Sequence, residues 1–243
     1  MSSTIAVSVA DIKEARKRIE KYVNLTPCTY SPNLSGELGC ELFFKMENLQ
    51  RTGAYKDRGA MNAVLCLDDA QKKAGVIAAS AGNHAQGLAF AAQRSNVHAT
   101  IVMPETAPMA KVRGTIKYGA VIVLHGTGYD DAFGRATELQ KEKGYTFVHA
   151  FDDPRVIAGQ GSVGLELLEQ NPGLEVFVVP IGGGGLAAGM ALVLKDANPN
   201  VRIVGVQSEA VDSMKASVEA GQIVTVSGTT IADGIAVGRP GGY

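Results

Sequence analysis

Short apolar runs alternate with helix-length amphipathic segments along most of this chain. The runs Val76–Ala79, Ala99–Met103 and Val121–Leu124 lack the alternation of apolar and polar positions that marks a half-exposed strand. They therefore predict strands that are buried on both faces, as in parallel sheets. Because helix-like segments separate these runs, the pattern predicts the α/β fold class, with mostly parallel sheets between layers of helices.

The same pattern predicts the bounds of the elements. Near the start, Ser8 and Asp11 have the spacing of a capping box, and apolar residues follow at helical spacing. Further helices are predicted at 58–73, 83–94, 109–118, 130–143, 156–170, 186–196 and 211–220. Strands are predicted at 42–44, 76–79, 99–103, 121–124, 146–148, 176–179 and 201–206.

Composition and charge narrow the classes of partner. The net charge of −1 and the absence of a Lys/Arg-rich run disfavour nucleic acid and anionic membranes as partners. Cys28, Cys40 and Cys66 form no CxxC pair, which favours a reducing compartment, and each is predicted to be a small buried residue. No signal peptide or membrane-length apolar run is apparent, so a cytoplasmic protein is predicted.

Four consecutive glycines follow the strand predicted at 176–179 and precede a helix. Gly182, Gly183, Gly184 and Gly185 allow backbone N–H groups to converge on an anion, and the helix adds its positive end. The stretch lacks the GxGxxG spacing of dinucleotide folds and the lysine of a P-loop. From the residues alone it is either a phosphate cradle or a flexible turn.

A loop of small polar residues follows the strand predicted at 76–79. Ser80, Ala81, Gly82, Asn83 and His84 lie where ligands bind in open α/β sheets, at the carboxyl ends of the strands. Their N–H groups and side chains suit a carboxylate. The alternative is an ordinary helix cap, in which Ser80 or Asn83 satisfies the first turn.

A lysine stands at the head of the helix that follows residues 48–55. Lys56 is either a solvated residue of a first turn or an amine that traps a carbonyl group, its pKa lowered by burial and the positive helix end. The residues of this stretch do not decide between the two.

The order of the three stretches resembles the fold-type II pyridoxal phosphate (PLP) enzymes, the tryptophan synthase β family. Residues 47–60 resemble the motif ENxQxTGSFKxRGA, residues 80–87 resemble SAGNHAQG, and residues 179–186 resemble VPIGGGGL. The match is strongest to the threonine dehydratase branch, which is related to serine racemase. The stretches 152–154, 157–161 and 232–234 also resemble the family.

The resemblance implies a role for each stretch. Lys56 would carry PLP as a Schiff base and act as the catalytic base, with Tyr55 beside the cofactor. Asn83 would bind the 3′-oxygen of the cofactor, and Ser80, Ala81, Gly82, Asn83 and His84 would receive the carboxylate of the substrate. The phosphate would be bound by Gly182, Gly183, Gly184, Gly185 and Leu186.

The resemblance also implies an activity. It is the release of ammonia from L-threonine to give 2-oxobutanoate, and from L-serine to give pyruvate. Ala81 stands where related racemases are expected to place a serine, so elimination is favoured over serine racemisation. Gln207 and Ser213 stand where those racemases bind a divalent cation through acids, so no metal site is predicted. A PLP-binding protein without activity remains the alternative from another class.

Two three-layer αβα domains follow from the resemblance. A larger PLP-binding domain would comprise residues 1–50 and 150–243, and a smaller one residues 51–149. Members of the family continue beyond the position of Tyr243, which implies an incomplete larger domain with poor activity and stability. Family members commonly form dimers or tetramers. An AMP effector site is a weaker expectation, at Arg51, Thr52, Gln86 and Lys117.

Two residues depart from the lysine motif. Ala54 replaces the usual serine and Tyr55 replaces phenylalanine. Both changes would alter the packing around the cofactor, but neither removes a group that the chemistry requires.

Overall fold

The structure is a computed structural model that describes residues 7–242. Residues 1–6 and Tyr243, which the predicted domains include, lie outside the described residues. The strands are β1 (Cys28–Tyr30), β2 (Phe43–Lys45), β3 (Val76–Ala79), β4 (Ala99–Met103), β5 (Val121–Leu124), β6 (Thr146–Phe147), β7 (Val176–Pro180) and β8 (Arg202–Val206). The α-helices are α1 (Val9–Ile19), α2 (Pro32–Leu38), α3 (Lys56–Leu65), α4 (Asp69–Ala74), α5 (Asn83–Arg94), α6 (Met109–Ile116), α7 (Tyr129–Lys143), α8 (Pro154–Gln170), α9 (Gly185–Ala197) and α10 (Ser213–Ala220).

A four-stranded parallel sheet has the strand order β5-β4-β3-β6. Successive residues of β3 face opposite sides of it, as the pleat requires. Ala78 packs in the same apolar cluster as Leu88 of α5, whereas Ile77 packs with Ala132 and Ala136 of α7. Helices therefore cover both faces, which confirms the predicted α/β class.

A second parallel pair joins β7 to β8 in a separate sheet, and α8 and α9 pack beside it. Phe177 of β7 contacts a cluster that contains Val163 of α8 and Met190 of α9. The two helices approach closely where glycines face each other, because a Cβ at Gly161 would lie 2.9 Å from the carbonyl oxygen of Gly189. This helix pair links the second sheet to α1 and α3.

Most of the predicted elements are confirmed within one or two residues, including the capping box, in which the Ser8 hydroxyl accepts from the Asp11 N–H at 3.2 Å. The prediction of a single helix at 58–73 is wrong. The segment forms two helices, because Asp68 begins α4 with its own capping box and accepts from the Gln71 N–H at 2.8 Å. A short antiparallel pair, β1 with β2, accompanies them.

Two predictions about burial are wrong. Cys40 and Cys66 are exposed and Cys28 is half-buried, because Cys40 follows the end of α2 and Cys66 forms the C-cap of α3. Burial of the apolar strands on both faces holds for β3 and β4 but not for β5, β7 and β8. Strand β5 lies at the edge of its sheet, and the outer face of the β7–β8 pair is exposed in the part of the chain that the structure describes.

Candidate active site

The three sequence stretches meet at one cavity of about 780 Å³. It lies at the carboxyl ends of β3, β6 and β7, where parallel strands leave a crevice for ligands. The structure therefore brings together the residues that the sequence proposes for the cofactor and the substrate. Those that line the cavity are Tyr55, Lys56, Ser80, Ala81, Gly82, Asn83, His84, Gly182, Gly183, Gly184, Gly185 and Leu186.

Lys56 begins α3, and its Nζ donates a hydrogen bond of 2.6 Å to the carbonyl oxygen of Ala150. The loop before it is tied by Asp57, whose carboxylate accepts from the Thr52 N–H at 2.9 Å and from the Thr52 hydroxyl. Gly53 takes φ of +85° within this loop, a backbone conformation that favours glycine. The amine is thus held in a defined place at the cavity.

Arg58, two residues after Lys56, is fully buried and anchors the start of α3. Its guanidinium donates to the carboxylates of Glu47 at 2.8 Å and Glu166 at 2.6 Å, and Lys45 donates to Glu166 at 2.5 Å. Burial alone would lower the pKa of Arg58, but the bonds to Glu47 and Glu166 outweigh it and raise that pKa. Sequence reasoning missed this paired network, because its members are far apart in the chain.

The loop after β3 presents the amino end of α5 to the cavity. Gly82 is the N-cap of the helix, and its N–H donates to the Ser80 hydroxyl at 3.3 Å. Asn83, the first residue of the helix, is exposed. The free N–H groups of a first turn and the helix dipole favour an anion here.

His84 behaves differently from its neighbours because its ring is buried. Its Nε2 lies 2.9 Å from the Val148 carbonyl oxygen, and its Nδ1 has no hydrogen-bond partner among the described residues. Burial, and then the charge of Lys56, lower the pKa of His84 to about 3. The imidazole is therefore neutral near pH 7 and donates from Nε2 to the backbone.

The tetraglycine stretch connects β7 to α9. Gly184 adopts φ of +99°, and a Cβ on Gly185 would lie 2.6 Å from the Phe151 carbonyl oxygen. A Cβ on Gly183 would clash with the Phe151 ring. The hydrogen bond from the Ala188 N–H to the Gly184 carbonyl at 2.9 Å opens the helix, so the N–H groups of the preceding turn remain available to an anion.

The family described as "Pyridoxal-phosphate dependent enzyme" matches residues 19–243. The chain belongs to this family of PLP-dependent enzymes, and its fold is the fold-type II arrangement of the family.

Curated relatives and solved structures agree with this placement. The chain is 49% identical to an L-threonine ammonia-lyase of Thermotoga maritima, over 97% of this chain and 59% of that protein. It is 44% identical to the catabolic L-threonine dehydratase TdcB of Escherichia coli, over 98% of this chain and 72% of that protein. Maize serine racemase superposes with a TM-score of 0.94 at 40% identity, covering 97% of this chain and 72% of that chain. The chain thus spans about three fifths of the length of the Thermotoga relative.

The residues at the cavity fit PLP. The amine of Lys56 lies at the cavity wall, as attachment to an aldehyde requires, and Gly183 and Gly185 approach Phe151 so closely that side chains would fill the cradle. The amino end of α9 provides N–H groups and a positive dipole for the phosphate. The donor set therefore matches both ends of the cofactor.

Several residues at the cavity were not found from the sequence. His149, Ala150 and Phe151 follow β6, and its position beside β3 places them at the same edge of the sheet. Asp233 lines the cavity too and forms an ion pair with Lys111 of α6. The resemblance at 152–154 and 232–234 is a sequence signal close to both groups, but it implies no particular role for either stretch.

The residues of the predicted effector site lie outside the cavity lining. Thr52 is bonded to Asp57, and the Arg51 carbonyl lies 3.5 Å from the Tyr118 hydroxyl. The Lys117 ammonium lies 4.8 Å from the centre of the Tyr118 ring, and Gln86 lies on α5. Binding of AMP there stays a prediction.

The stretch from Gln207 to Ser213 carries hydrogen bonds of its own. The Gln207 side-chain oxygen accepts from the N–H groups of Met214 and Lys215, both at 3.0 Å. Residues 7–242 contain no group of three or more His, Cys, Asp and Glu side chains arranged to hold a metal ion. Nor does any helix within that range have the length and apolar character needed to cross a membrane.

Proposed function

We propose that the protein releases ammonia from L-threonine to give 2-oxobutanoate, and also converts L-serine to pyruvate. The observation that carries this proposal is the meeting of Lys56, the loop Ser80–His84 and the tetraglycine stretch at one cavity. Relatives named threonine ammonia-lyase or threonine dehydratase, 44 to 49% identical to this chain, support the choice of reaction.

Each group of residues has a role in this proposal. The N–H groups at Gly182, Gly183, Gly184, Gly185 and Leu186 hold the phosphate, and Asn83 and Tyr55 bind beside the ring of the cofactor. Lys56 would hold the cofactor through its amine, and the same amine would take the proton from Cα of the bound substrate. When bound, PLP supplies an electron sink for the negative charge that develops at Cα.

The carboxylate of the substrate binds at the loop that opens α5. Ser80, Gly82 and Asn83 offer a hydroxyl, backbone N–H groups and an amide there, and the helix dipole favours the negative charge. The buried His84 ring supports this loop through Val148, while its backbone belongs to the anion site. The substrate is then fixed with its Cα beside the Lys56 amine.

The bond changes balance without an external oxidant or reductant. Lys56 accepts the proton of Cα, the Cβ–O bond breaks, and the hydroxyl group leaves as water after gaining a proton. The unsaturated amine that is released takes up water, loses ammonia and becomes the 2-oxo acid. An ammonia-lyase therefore needs a base on one face of Cα only.

Serine racemase is a second candidate, because maize serine racemase superposes with a TM-score of 0.94. Racemisation needs a proton donor on the face of Cα opposite Lys56. Ala81, which lines the cavity, has a methyl side chain that transfers no proton. Ala81 therefore favours elimination. A PLP-binding protein without turnover is the third candidate. The proposed enzyme is cytoplasmic and forms a homo-oligomer, either a dimer or a tetramer.

The test follows three products from the PLP-loaded full-length protein. L-Threonine should give 2-oxobutanoate and ammonia. L-Serine should be converted to pyruvate much faster than it is converted to D-serine. Ala81→Ser should raise the share of D-serine. D-Serine formed as fast as pyruvate would select the racemase, and PLP attached at Lys56 with no product from either amino acid would select the binding protein.

A further inference from the structure

One four-residue turn connects the two halves of the cofactor site. The residues 149–152 follow β6, and they contact Lys56 on one side and the tetraglycine stretch on the other. We propose that His149 is a positioning residue that holds this turn, so that the Lys56 amine and the tetraglycine cradle keep a fixed separation. This inference rests on the assignment of Lys56 and the glycines to the cofactor.

The ring of His149 is bonded within its own turn. Its Nδ1 accepts from the Asp152 N–H at 2.9 Å and faces the Phe151 N–H at 3.4 Å. An Nδ1 that accepts requires the neutral tautomer with its proton on Nε2. Burial lowers the pKa of His149, the positive charge of Lys56 adds to this, and Asp152 and Asp153 oppose it. The acceptor is therefore retained at neutral pH.

On the lysine side, the turn contributes a carbonyl group. Ala150, between His149 and Phe151, accepts from the Lys56 Nζ at 2.6 Å. A carbonyl oxygen in a turn points where the turn directs it, so loss of the Nδ1 bond changes the direction of this acceptor. Lys56 and Ala150 are 94 residues apart in the chain, and no local motif fixes their distance.

On the phosphate side, the turn contributes an aromatic ring. The Phe151 ring lies edge-on to His149, with 4.6 Å between the ring centroids, and it occupies the space beside Gly183. The Asp152 carboxylate accepts from the Gly242 N–H at 2.9 Å, and the Gly241 N–H donates to the Gly183 carbonyl at 3.0 Å. The turn therefore supports the glycine loop from two directions.

A matched pair of variants tests the role of Nδ1. His149→Asn places an amide oxygen close to the position of Nδ1, whereas His149→Gln places its amide near Nε2 and leaves the turn without its acceptor. Equilibrium binding of PLP and of pyridoxal, which lacks the phosphate, is measured by absorbance titration. Borohydride trapping and peptide mapping then quantify the attachment to Lys56.

His149→Gln should weaken both aldehydes roughly 10- to 100-fold, as expected when a buried hydrogen bond is lost. His149→Asn should stay within about threefold of the unchanged protein, since it keeps the acceptor. Equal affinities for the two variants, whether both reduced or both unchanged, would overturn the role of Nδ1.

A second variant keeps the inference testable if His149→Gln does not fold. Phe151→Leu removes the ring beside Gly183 but leaves the Ala150 carbonyl, so it should weaken PLP several-fold and leave pyridoxal binding unchanged. Equal losses for the two aldehydes, or none, would overturn the two-sided role of the turn. These readouts need no turnover. A protein that shows the binding pattern but releases no 2-oxobutanoate would refute the ammonia-lyase proposal and leave this inference standing.

Discussion

The two parallel sheets of the described structure both have mostly apolar strands, but the strands differ greatly in burial. Strands β3 and β4 are apolar and fully buried, with Ile77 and Ile101 both at 0% exposure. Strands β7 and β8 are almost as apolar, yet Val178 is 56% exposed. Both sheets nevertheless end in a loop that lines the same cavity.

The difference shows that covering helices, and not strand composition, decide burial. Helices α5 and α7 cover opposite faces of the four-stranded sheet. In the β7–β8 pair, Val179 is buried, whereas Val178 and its partner Val204 face the exposed side of the described structure. The position of a ligand loop is independent of this cover, because it depends on the carboxyl end of the strand.

The largest effect on activity is expected from loss of the Lys56 amine, because no group on the loops of either sheet can replace it. Lys56→Ala should abolish attachment of PLP and reduce ammonia release at least about 10³-fold, since both the attaching amine and the base are removed. The tetraglycine loop should still bind the phosphate without a covalent bond. Peptide mapping after borohydride reduction checks this, with the exposed Lys73→Ala on α4 as a control that keeps attachment at Lys56.

A pair of truncations tests the contrast in burial directly. Ile101→Ala should lower the free energy of unfolding by about 2–5 kcal/mol, because it leaves a cavity in a packed core. Val178→Ala, on the exposed face, should change it by less than about 0.5 kcal/mol. Urea unfolding measures both, and similar losses would show that β7 and β8 are covered in solution.

The two ligand loops should differ in their tolerance of a methyl group. Gly183→Ala should destabilise the fold by about 1–3 kcal/mol through overlap with Phe151, and it should weaken PLP binding. Gly82→Ala should leave the melting temperature nearly unchanged, because no heavy atom beyond its neighbours in the chain lies within 4 Å of the added Cβ. Equal shifts in melting temperature would contradict the close contact that the structure shows at Gly183.

The smallest effect is the dependence of the free energy of unfolding on pH, which His84 confers on the loop after β3. His84 has a folded pKa of about 3 against an ordinary value of 6.5, so the unfolded chain binds this proton more readily. Its contribution to stability is complete above pH 6.5 and declines as the pH falls toward 3. Between pH 7.5 and 5.5 the loss should be about 1 kcal/mol. Unfolding curves at both pH values should show a loss that is larger by about this amount for the unchanged protein than for His84→Gln, which keeps the contribution of His149.

Much of the fold was predictable from the chain. The bounds of β3, β4 and β5 follow from their apolar runs, and the start of α1 follows from its capping box. The break between α3 and α4 is not evident in the sequence, because helical spacing of apolar residues continues across Asp68. The capping box of Asp68 and Gln71 involves only two residues and gives a weak sequence signal. The exposure of Cys40 and Cys66 was missed because composition does not report which helix end a residue occupies.

The sequence by itself determined the α/β class, because local periodicity encodes it. Its resemblance to the family proposed the three ligand loops and Lys56 as the residue for the cofactor. The tertiary structure decided which side chains meet. Arg58 and Glu166 are 108 residues apart, and the Ala150 carbonyl reaches Lys56 across 94 residues. Such contacts depend on how helices and strands pack, and a linear pattern contains no distance between residues that are remote in the chain. The tertiary structure also decided which sheet faces are covered by helices, because the burial of a residue depends on its neighbours in space.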